Sequence, residues 1–127
     1  MNNPPLILLV DDEPEDLEVY SLALKQAGFD VVTGSNGVEC VKLAKEKHPD
    51  LILLDVKMPV MDGLNAFLEL RKYPETEKIK VVFLTAFGDP LEPMVNLKTD
   101  YVITADFIQK GVSLDEFIEK IKIYFKM

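Results

Sequence analysis

The chain has 127 residues, a length typical of one domain with a single hydrophobic core. Acidic residues outnumber basic ones by 22 to 14, and the net charge of −8 opposes direct binding to nucleic acid or to an anionic membrane surface. The N-terminal segment has no basic region, and its apolar run is soon interrupted by acidic residues, so we expect neither a signal peptide nor a membrane span. The lone Cys40 cannot form an internal disulfide, which fits a reducing cytoplasm.

Apolar strand patterns and amphipathic helix patterns alternate about five times along the chain. Leu6–Val10 is the first predicted strand, and the helix that follows it is expected to end at Gly28. A short second strand is predicted over residues 29–33, and Asn36 with Glu39 forms a capping box for the second helix. We expect three apolar residues to form the buried face of that helix: Val38, Val41 and Ala44.

Two of the predicted strands end in carboxylates. The apolar run 51–54 is typical of a strand buried on both faces of a parallel sheet, and Asp55 follows it. The first strand runs directly into Asp11 and Asp12. If these strands are parallel neighbours, the three carboxylates meet at the carboxyl edge of the sheet, where open α/β sheets keep their chemistry. Close carboxylates repel one another unless a divalent cation lies between them, and oxygen ligands favour Mg²⁺ or Mn²⁺.

The second half of the chain continues the alternation. A turn that includes Asp62 as a helix cap precedes the third helix, and the fourth strand is predicted over residues 80–85. The segment 86–105 contains two prolines, which fit only in the first turn of a fourth helix. The fifth strand is predicted over residues 107–109, and Lys110 stands at its end.

The last helix begins after Ser113, which forms a capping box with Glu116. We expect five apolar residues to face the core from this helix: Leu114, Phe117, Ile118, Ile121 and Phe125. Five strand-then-helix units predict an α/β fold, the (βα)5 flavodoxin-like three-layer sandwich with a parallel sheet of order 2-1-3-4-5. We expect residues 1–127 to form one such domain.

These motifs together resemble the receiver domain of bacterial two-component response regulators over essentially the whole chain. The resemblance rests on features that occur in order: Asp11-Asp12, Asp55, Met58-Pro59, Asp62-Gly63, Thr85-Ala86 and Lys110. It implies that Asp55 accepts a phosphoryl group from the phosphohistidine of a sensor histidine kinase or a histidine phosphotransfer protein. It also implies that Asp12 and Asp55 bind Mg²⁺ directly, that Asp11 binds it through water, and that the main-chain carbonyl of Lys57 adds an oxygen.

The chemistry of phosphoryl transfer suggests roles for two further residues. The transition state is loose, so it needs in-line positioning and neutralisation of the phosphoryl oxygens more than proton transfer. We expect the cation on one side of the group, Lys110 on the other, and a hydrogen bond from the Thr85 hydroxyl. The resemblance implies a switch in which Phe107, by default a core residue, rotates into space that Thr85 leaves. The face made by the fourth helix, fifth strand and last helix would then be recognised by a downstream protein.

Two features depart from the family's pattern. Gly111 follows Lys110 where the family usually has proline, and a non-proline cis bond costs about 3 kcal/mol, so we expect a trans bond and a less constrained Lys110. The segment between Thr85 and Lys110 is a few residues longer than usual, so we expect a shifted or longer fourth helix.

We also hypothesise that Lys57 and Phe87 shield the phosphoryl group from water and so lengthen its lifetime.

Three other functions fit individual motifs. A haloacid-dehalogenase-type phosphatase also uses an Asp after a parallel strand, but it needs a second Asp at the position of Lys57. A flavodoxin-like FMN module would need Ser, Thr and Gly amides where the acidic run 11–16 would repel the phosphate. An unphosphorylated receiver-like scaffold would not need the complete acidic set. The sequence therefore favours a signalling domain that catalyses only its own phosphorylation and dephosphorylation, either alone or within a longer chain.

Overall fold

The computed structural model describes residues 2–86 and 106–126. Within these ranges the strands are β1 (Leu6–Val10), β2 (Asp30–Gly34), β3 (Leu51–Asp55), β4 (Lys80–Thr85) and β5 (Asp106–Gln109). The helices are α1 (Pro14–Gln26), α2 (Gly37–Lys47), α3 (Gly63–Leu70) and α4 (Leu114–Tyr124). The predicted fourth helix and Phe87 lie outside the described residues, so α4 corresponds to the predicted last helix.

The five strands form one parallel sheet in the order β2-β1-β3-β4-β5, which confirms the predicted fold. β1 and β3 are neighbours although β2 and α2 separate them in the chain. Their register sets Val10 opposite Leu54. The residue after β1 and the last residue of β3 therefore lie side by side at the carboxyl edge of the sheet.

Apolar side chains fill both faces of the sheet, because β1 and β3 alternate between two separate cores. One core combines strand residues with side chains of α2 and α3, including Leu8, Ile52, Phe83, Ala44 and Phe67. The other combines strand residues with side chains of α1 and α4, including Ile7, Leu53, Leu24, Phe117 and Ile121. Complete burial of one such large side chain contributes about 1.5–3 kcal/mol, so the central strands anchor the fold.

The predicted buried faces of two helices are wrong in part. Val38 is 48% exposed, and Cys40 is buried in its place. The buried residues of α2 are all small: Cys40 and Ala44 pack in the core, and Gly37 lies against Met61. Leu114, the first residue of α4, is 43% exposed and lies along a groove between α4 and α1.

The predicted helix starts are confirmed by hydrogen bonds from main-chain amides to capping side chains. Asn36 accepts from the Glu39 amide at 2.9 Å, Asp62 from the Asn65 amide at 2.8 Å, and Ser113 from the Glu116 amide at 3.1 Å. Such a cap stabilises a helix by about 1 kcal/mol. The caps therefore fix where α2, α3 and α4 begin relative to the sheet. No helix in the described ranges is long and apolar enough to cross a membrane.

Candidate functional site

Three carboxylates meet at the carboxyl edge of the sheet. Asp11 and Asp12 follow β1, and Asp55 is the last residue of β3. Each offers an oxygen within 4.8 Å of the others. Asp11 is fully buried and Asp55 is 5% exposed, whereas Asp12 is exposed to solvent. The three residues form a pocket in which Asp11 and Asp55 are buried and Asp12 lies at the solvent-exposed entrance.

The main chain holds Asp11 in place at the end of β1. Its amide donates to the carbonyl of Gly34 at 3.1 Å, which extends the pairing of β1 with β2 by one residue. Its side-chain Oδ1 accepts from the amide of Glu13 at 3.0 Å, a local turn that leads into α1. One carboxylate oxygen is therefore used by the backbone, and the other faces the pocket.

A glycine sets the position of Asp55. The amide of Gly63, at the start of α3, donates to the carbonyl of Val56 at 2.9 Å. A Cβ atom on Gly63 would collide with the main-chain carbonyl oxygen of Asp55. The first turn of α3 can lie directly against the end of β3 only because residue 63 has no side chain.

Lys110 crosses the site from the end of β5. Its Nζ lies 2.7 Å from Oδ2 of Asp11, 3.0 Å from Oδ2 of Asp16 and 3.5 Å from Oδ1 of Asp55. Its amide donates to the carbonyl of Thr85 at 2.7 Å, which ties the turn after β5 to the end of β4. One ammonium group therefore serves carboxylates from three segments of the chain.

The contact with Asp16 was not anticipated from the sequence. An acidic residue in the first turn of a helix is normally explained by the favourable interaction with the helix dipole. Asp16 does lie in the first turn of α1, but its carboxylate also points towards β5. Sequence spacing within the helix carries no signal for such a cross-sheet contact.

The electrostatics of the pocket are unbalanced in the absence of a cation. Burial, the charge of Asp11 and a hydrogen bond with Asp11 raise the pKa of Asp55 to about 7, although Lys110 opposes this shift. Burial alone would lower the pKa of Lys110, but hydrogen bonds to Asp11 and Asp16 outweigh burial and raise that pKa. The lysine therefore stays charged. Its single positive charge does not balance the negative charges of the three carboxylates around it.

The donor set fits a hard divalent cation. The three clustered groups, Asp11, Asp12 and Asp55, offer oxygen ligands of the kind that Mg²⁺ prefers. Burial and the charge of Asp11 raise the pKa of Asp55, and the charge of a divalent ion would oppose both effects. Lys57 follows two residues after Asp55 and has an exposed side chain beside this edge.

Thr85 and Phe107 lie on the two strands at the far side of the sheet. Thr85 is the last residue of β4 and is 5% exposed. Phe107 lies on β5 and is 37% exposed, so it is less buried than a core residue. Its ring stacks on Phe83, with centroids 5.5 Å apart.

Comparison with known proteins identifies the family. Residues 7–122 match the response regulator receiver domain. The chain belongs to this family. It is 29% identical over 126 residues to the polar-differentiation response regulator DivK of Brucella anthropi, a match that covers 95% of this chain and 96% of DivK. It is 30% identical over 118 residues to the DNA-binding dual master transcriptional regulator RpaA of Synechocystis, covering 93% of this chain and 48% of RpaA.

Solved structures show the same receiver fold. The receiver domain of a sensor histidine kinase from Pseudomonas aeruginosa superposes with a TM-score of 0.82 at 25% identity, covering 97% of this chain and 98% of that one. That structure has a magnesium ion coordinated in its active site cleft. This receiver domain spans about half the length of RpaA and of several other transcriptional regulators that it matches.

This receiver domain differs from the usual family pattern after the lysine. Gly111 has a φ of +98°, a value that proline cannot adopt. Among the described residues the cis peptide bond is Asn3–Pro4, so the Lys110–Gly111 bond is trans, as expected. The direction of Lys110 is therefore not set by a proline ring, and its carboxylate partners become the main constraint on its ammonium group.

Proposed function

We propose that this receiver domain accepts a phosphoryl group on Asp55 in a Mg²⁺-dependent transfer from a phosphohistidine. The observation that carries the proposal is the convergence of the Asp11, Asp12 and Asp55 carboxylates, two of which, Asp11 and Asp55, lie beside the ammonium group of Lys110. The donor would be a sensor histidine kinase or a histidine phosphotransfer protein. The magnesium ion in the cleft of the Pseudomonas receiver supports the choice of cation.

Each acidic residue has a proposed role in holding the ion. Asp12 and Asp55 would bind it directly, Asp11 would bind it through water, and the main-chain carbonyl of Lys57 would add a fourth oxygen. When bound, Mg²⁺ or Mn²⁺ supplies two positive charges beside the transferred group. Asp55 can then approach an anionic donor without strong repulsion from its own acidic neighbours.

The proposed transfer is a single displacement at phosphorus. A carboxylate oxygen of Asp55 attacks the phosphorus atom, the new O–P bond forms as the P–N bond breaks, and the imidazole leaves with the electron pair. Lys110 neutralises a phosphoryl oxygen on the side opposite the cation, and Thr85 donates a hydrogen bond to another. In the separate dephosphorylation step, a water oxygen attacks the phosphorus as the O–P bond to Asp55 breaks, which releases inorganic phosphate and restores the Asp55 carboxylate. The domain thus catalyses only its own modification and is not a turnover enzyme.

The output is proposed to be a change of surface shape read by a downstream protein. Thr85 would move towards the phosphoryl oxygens, and Phe107 would rotate into the space it leaves. Phe107 is 37% exposed and stacks on Phe83, and this partial exposure is compatible with the rotation. A phosphoryl group with different affinity for the two arrangements would shift their populations.

The partners are proposed to be proteins. The net charge of −8 opposes direct contact with nucleic acid or an anionic membrane. We propose that the phosphoryl transfer takes place in the cytoplasm. Lys57 and Phe87 are proposed to shield the phosphoryl group from water. Replacing both with alanine and timing dephosphorylation tests this role, since an unchanged rate would contradict it.

The central proposal is tested by incubation of the chain with acetyl phosphate and Mg²⁺, followed by intact-mass measurement. We expect the gain of one phosphoryl group, and no gain in the Asp55→Asn variant or after removal of Mg²⁺ with a chelator. Asp106→Asn is the matched control, because it removes a carboxylate at the opposite edge of the sheet and should leave phosphorylation intact. A folded, magnesium-loaded chain that never gains the group would favour the unphosphorylated scaffold instead.

A further inference from the structure

The face of α1 that meets the turn after β5 is built around Asp16 and Tyr20, which are one helical turn apart. Asp16 contacts the ammonium of Lys110 at 3.0 Å. Burial and the charge of Asp16 raise the pKa of Tyr20, whereas Lys110 and the backbone amide of Gly111 lower it, so Tyr20 lies beside the same turn. Its ring also packs on Phe117 of α4, with centroids 4.8 Å apart. This part of α1 is thus fitted against the segment that carries the lysine.

The amide of Lys110 is fixed by the Thr85 carbonyl, but its long side chain needs contacts of its own to set its direction. The residue after it is a glycine with a left-handed φ, so no proline ring fixes the chain there. The lysine side chain is flexible and only 15% exposed, so its ammonium position is decided by its carboxylate partners. Those partners are Asp11, Asp16 and Asp55.

The three partners differ in what a cation would do to them. Asp11 and Asp55 belong to the cluster that could hold a metal ion, and Asp16 does not. Their oxygens would be shared with, or turned towards, a bound divalent ion. Asp16 is 32% exposed, comes from a different element and keeps its carboxylate for the lysine.

We propose that Asp16 is a positioning residue for Lys110 during phosphoryl transfer. Asp16 keeps the Lys110 ammonium group at the pocket while Asp11 and Asp55 interact with the ion. It thereby restrains the lysine in the absence of a proline at position 111. The inference rests on the proposed function, because positioning matters only if Lys110 meets a phosphoryl group. Asp16 itself touches neither the ion nor the reacting atoms.

The test compares phosphorylation rates of three variants at saturating Mg²⁺ and acetyl phosphate. We expect Asp16→Asn to slow the rate about tenfold, because loss of one charge-assisted hydrogen bond of ordinary strength corresponds to about that factor. Asp16→Glu should recover part of the rate, since it restores the carboxylate. Glu15→Gln removes the same charge from the same turn at an exposed position and should stay within about twofold of the unchanged chain.

A second comparison asks whether Asp16 acts through the lysine. In a Lys110→Met background, Asp16→Asn should have no further effect on the rate, since the group it positions is gone. An equal slowing in both backgrounds, or an unchanged rate in the single Asp16→Asn variant, would overturn the proposal.

A measurement without any phosphodonor separates this proposal from the proposed function. The ammonium protons of a shielded, ion-paired lysine exchange slowly enough to give a nitrogen-detected NMR signal. In the Mg²⁺-loaded chain we expect the Lys110 signal to persist, to be lost in Asp16→Asn and to remain in Glu15→Gln. If the unchanged chain takes no phosphoryl group, the proposed function fails, and this signal still decides whether Asp16 holds Lys110. If the Lys110 signal persists unchanged in the Asp16→Asn variant, the positioning role is overturned.

Discussion

At the amino edge of the sheet, Asp50 and Asp106 each have several hydrogen-bonding or ionic partners. Asp50, just before β3, accepts from the amide of Leu6 at 2.8 Å and from the side chain of Asn2 at 3.1 Å. Asp106, the first residue of β5, accepts from the hydroxyl of Tyr124 at 2.8 Å and lies 3.3 Å from the ammonium of Lys80. Each of these two carboxylates links segments that are far apart in the chain.

At the carboxyl edge the same side chain is in excess. Asp11, Asp16 and Asp55 all turn towards one ammonium group, while Asp12 stands on the open rim. The pKa of Asp55 is raised to about 7 there, whereas its hydrogen bond with Tyr124 keeps the pKa of Asp106 below its usual value. Aspartates therefore stabilise the amino edge through their hydrogen bonds and ion pairs, whereas at the carboxyl edge they leave excess negative charge that a cation could neutralise.

The largest expected contrast concerns glycine. Gly63→Ala should destabilise the domain by about 3 kcal/mol, because a Cβ there meets the carbonyl of Asp55 in a packed position. Gly28, near the amino edge, has a φ of +101° and open space around it, so Gly28→Ala should cost only about 1 kcal/mol of conformational strain.

Urea unfolding of the two glycine variants measures both values. Asn tolerates a left-handed φ, so Gly28→Asn should recover stability that Gly63→Asn does not. Equal costs for Gly63→Ala and Gly28→Ala would show that the close approach at Asp55 is not real.

Magnesium should raise the free energy of unfolding through the carboxylates of the carboxyl edge and not through those of the amino edge. At a concentration of one hundred times its dissociation constant, Mg²⁺ should add about 2.7 kcal/mol to the free energy of unfolding. A chelator should remove this gain, and Asp12→Asn should weaken it. The effect should survive in Asp106→Asn, and thermal denaturation with and without Mg²⁺ provides the measurement.

Replacing aspartate by asparagine should have opposite signs at the two edges when no cation is present. Above pH 7, where the Asp55 carboxyl is ionised, Asp55→Asn should stabilise the metal-free domain by about 1–2 kcal/mol, because it removes a buried charge that repels the charge of Asp11. Asp50→Asn should destabilise it by about 1 kcal/mol, because an amide nitrogen would face the donors that now bind the carboxylate. Unfolding curves in chelator test both signs, and a loss of stability in Asp55→Asn would contradict the electrostatic account.

The smallest expected effect is backbone strain beside the site. Val60 has a φ of +70° at the centre of a tight turn closed by the hydrogen bond from the Met61 amide to the Pro59 carbonyl, and a β-branched residue is strained there. Val60→Asn should stabilise the domain by about 1 kcal/mol. Val19→Asn, at an exposed helical position, is the control and should change stability by less than about 0.5 kcal/mol.

Much of the fold followed from local signals. The buried strand 51–54 is unbroken and apolar, and the caps Asn36 and Ser113 carry their own hydrogen-bonding chemistry. Those signals need no knowledge of distant residues. The meeting of Asp11 with Asp55 could also be predicted, because parallel neighbours bring their carboxyl ends to one edge.

The rest depended on contacts that sequence spacing does not encode. The exposed Val38 and the buried Cys40 fit helical spacing equally well, and only the closeness of α2 to the sheet decides between them. Gly63 was expected in a turn, but its importance lies in a collision with another strand. Asp16 looks like an ordinary first-turn acid until the direction of Lys110 is known.

The adjacency of β1 and β3 has a consequence for how the protein matures. The segments bearing Asp11 and Asp55 are separated in the chain by β2 and α2, so their pairing in the middle of the sheet closes a long loop. Such non-local pairing has to offset the entropy of closing that loop. No local segment of the chain can form the three-carboxylate site by itself, because the site needs β1 and β3 to be paired.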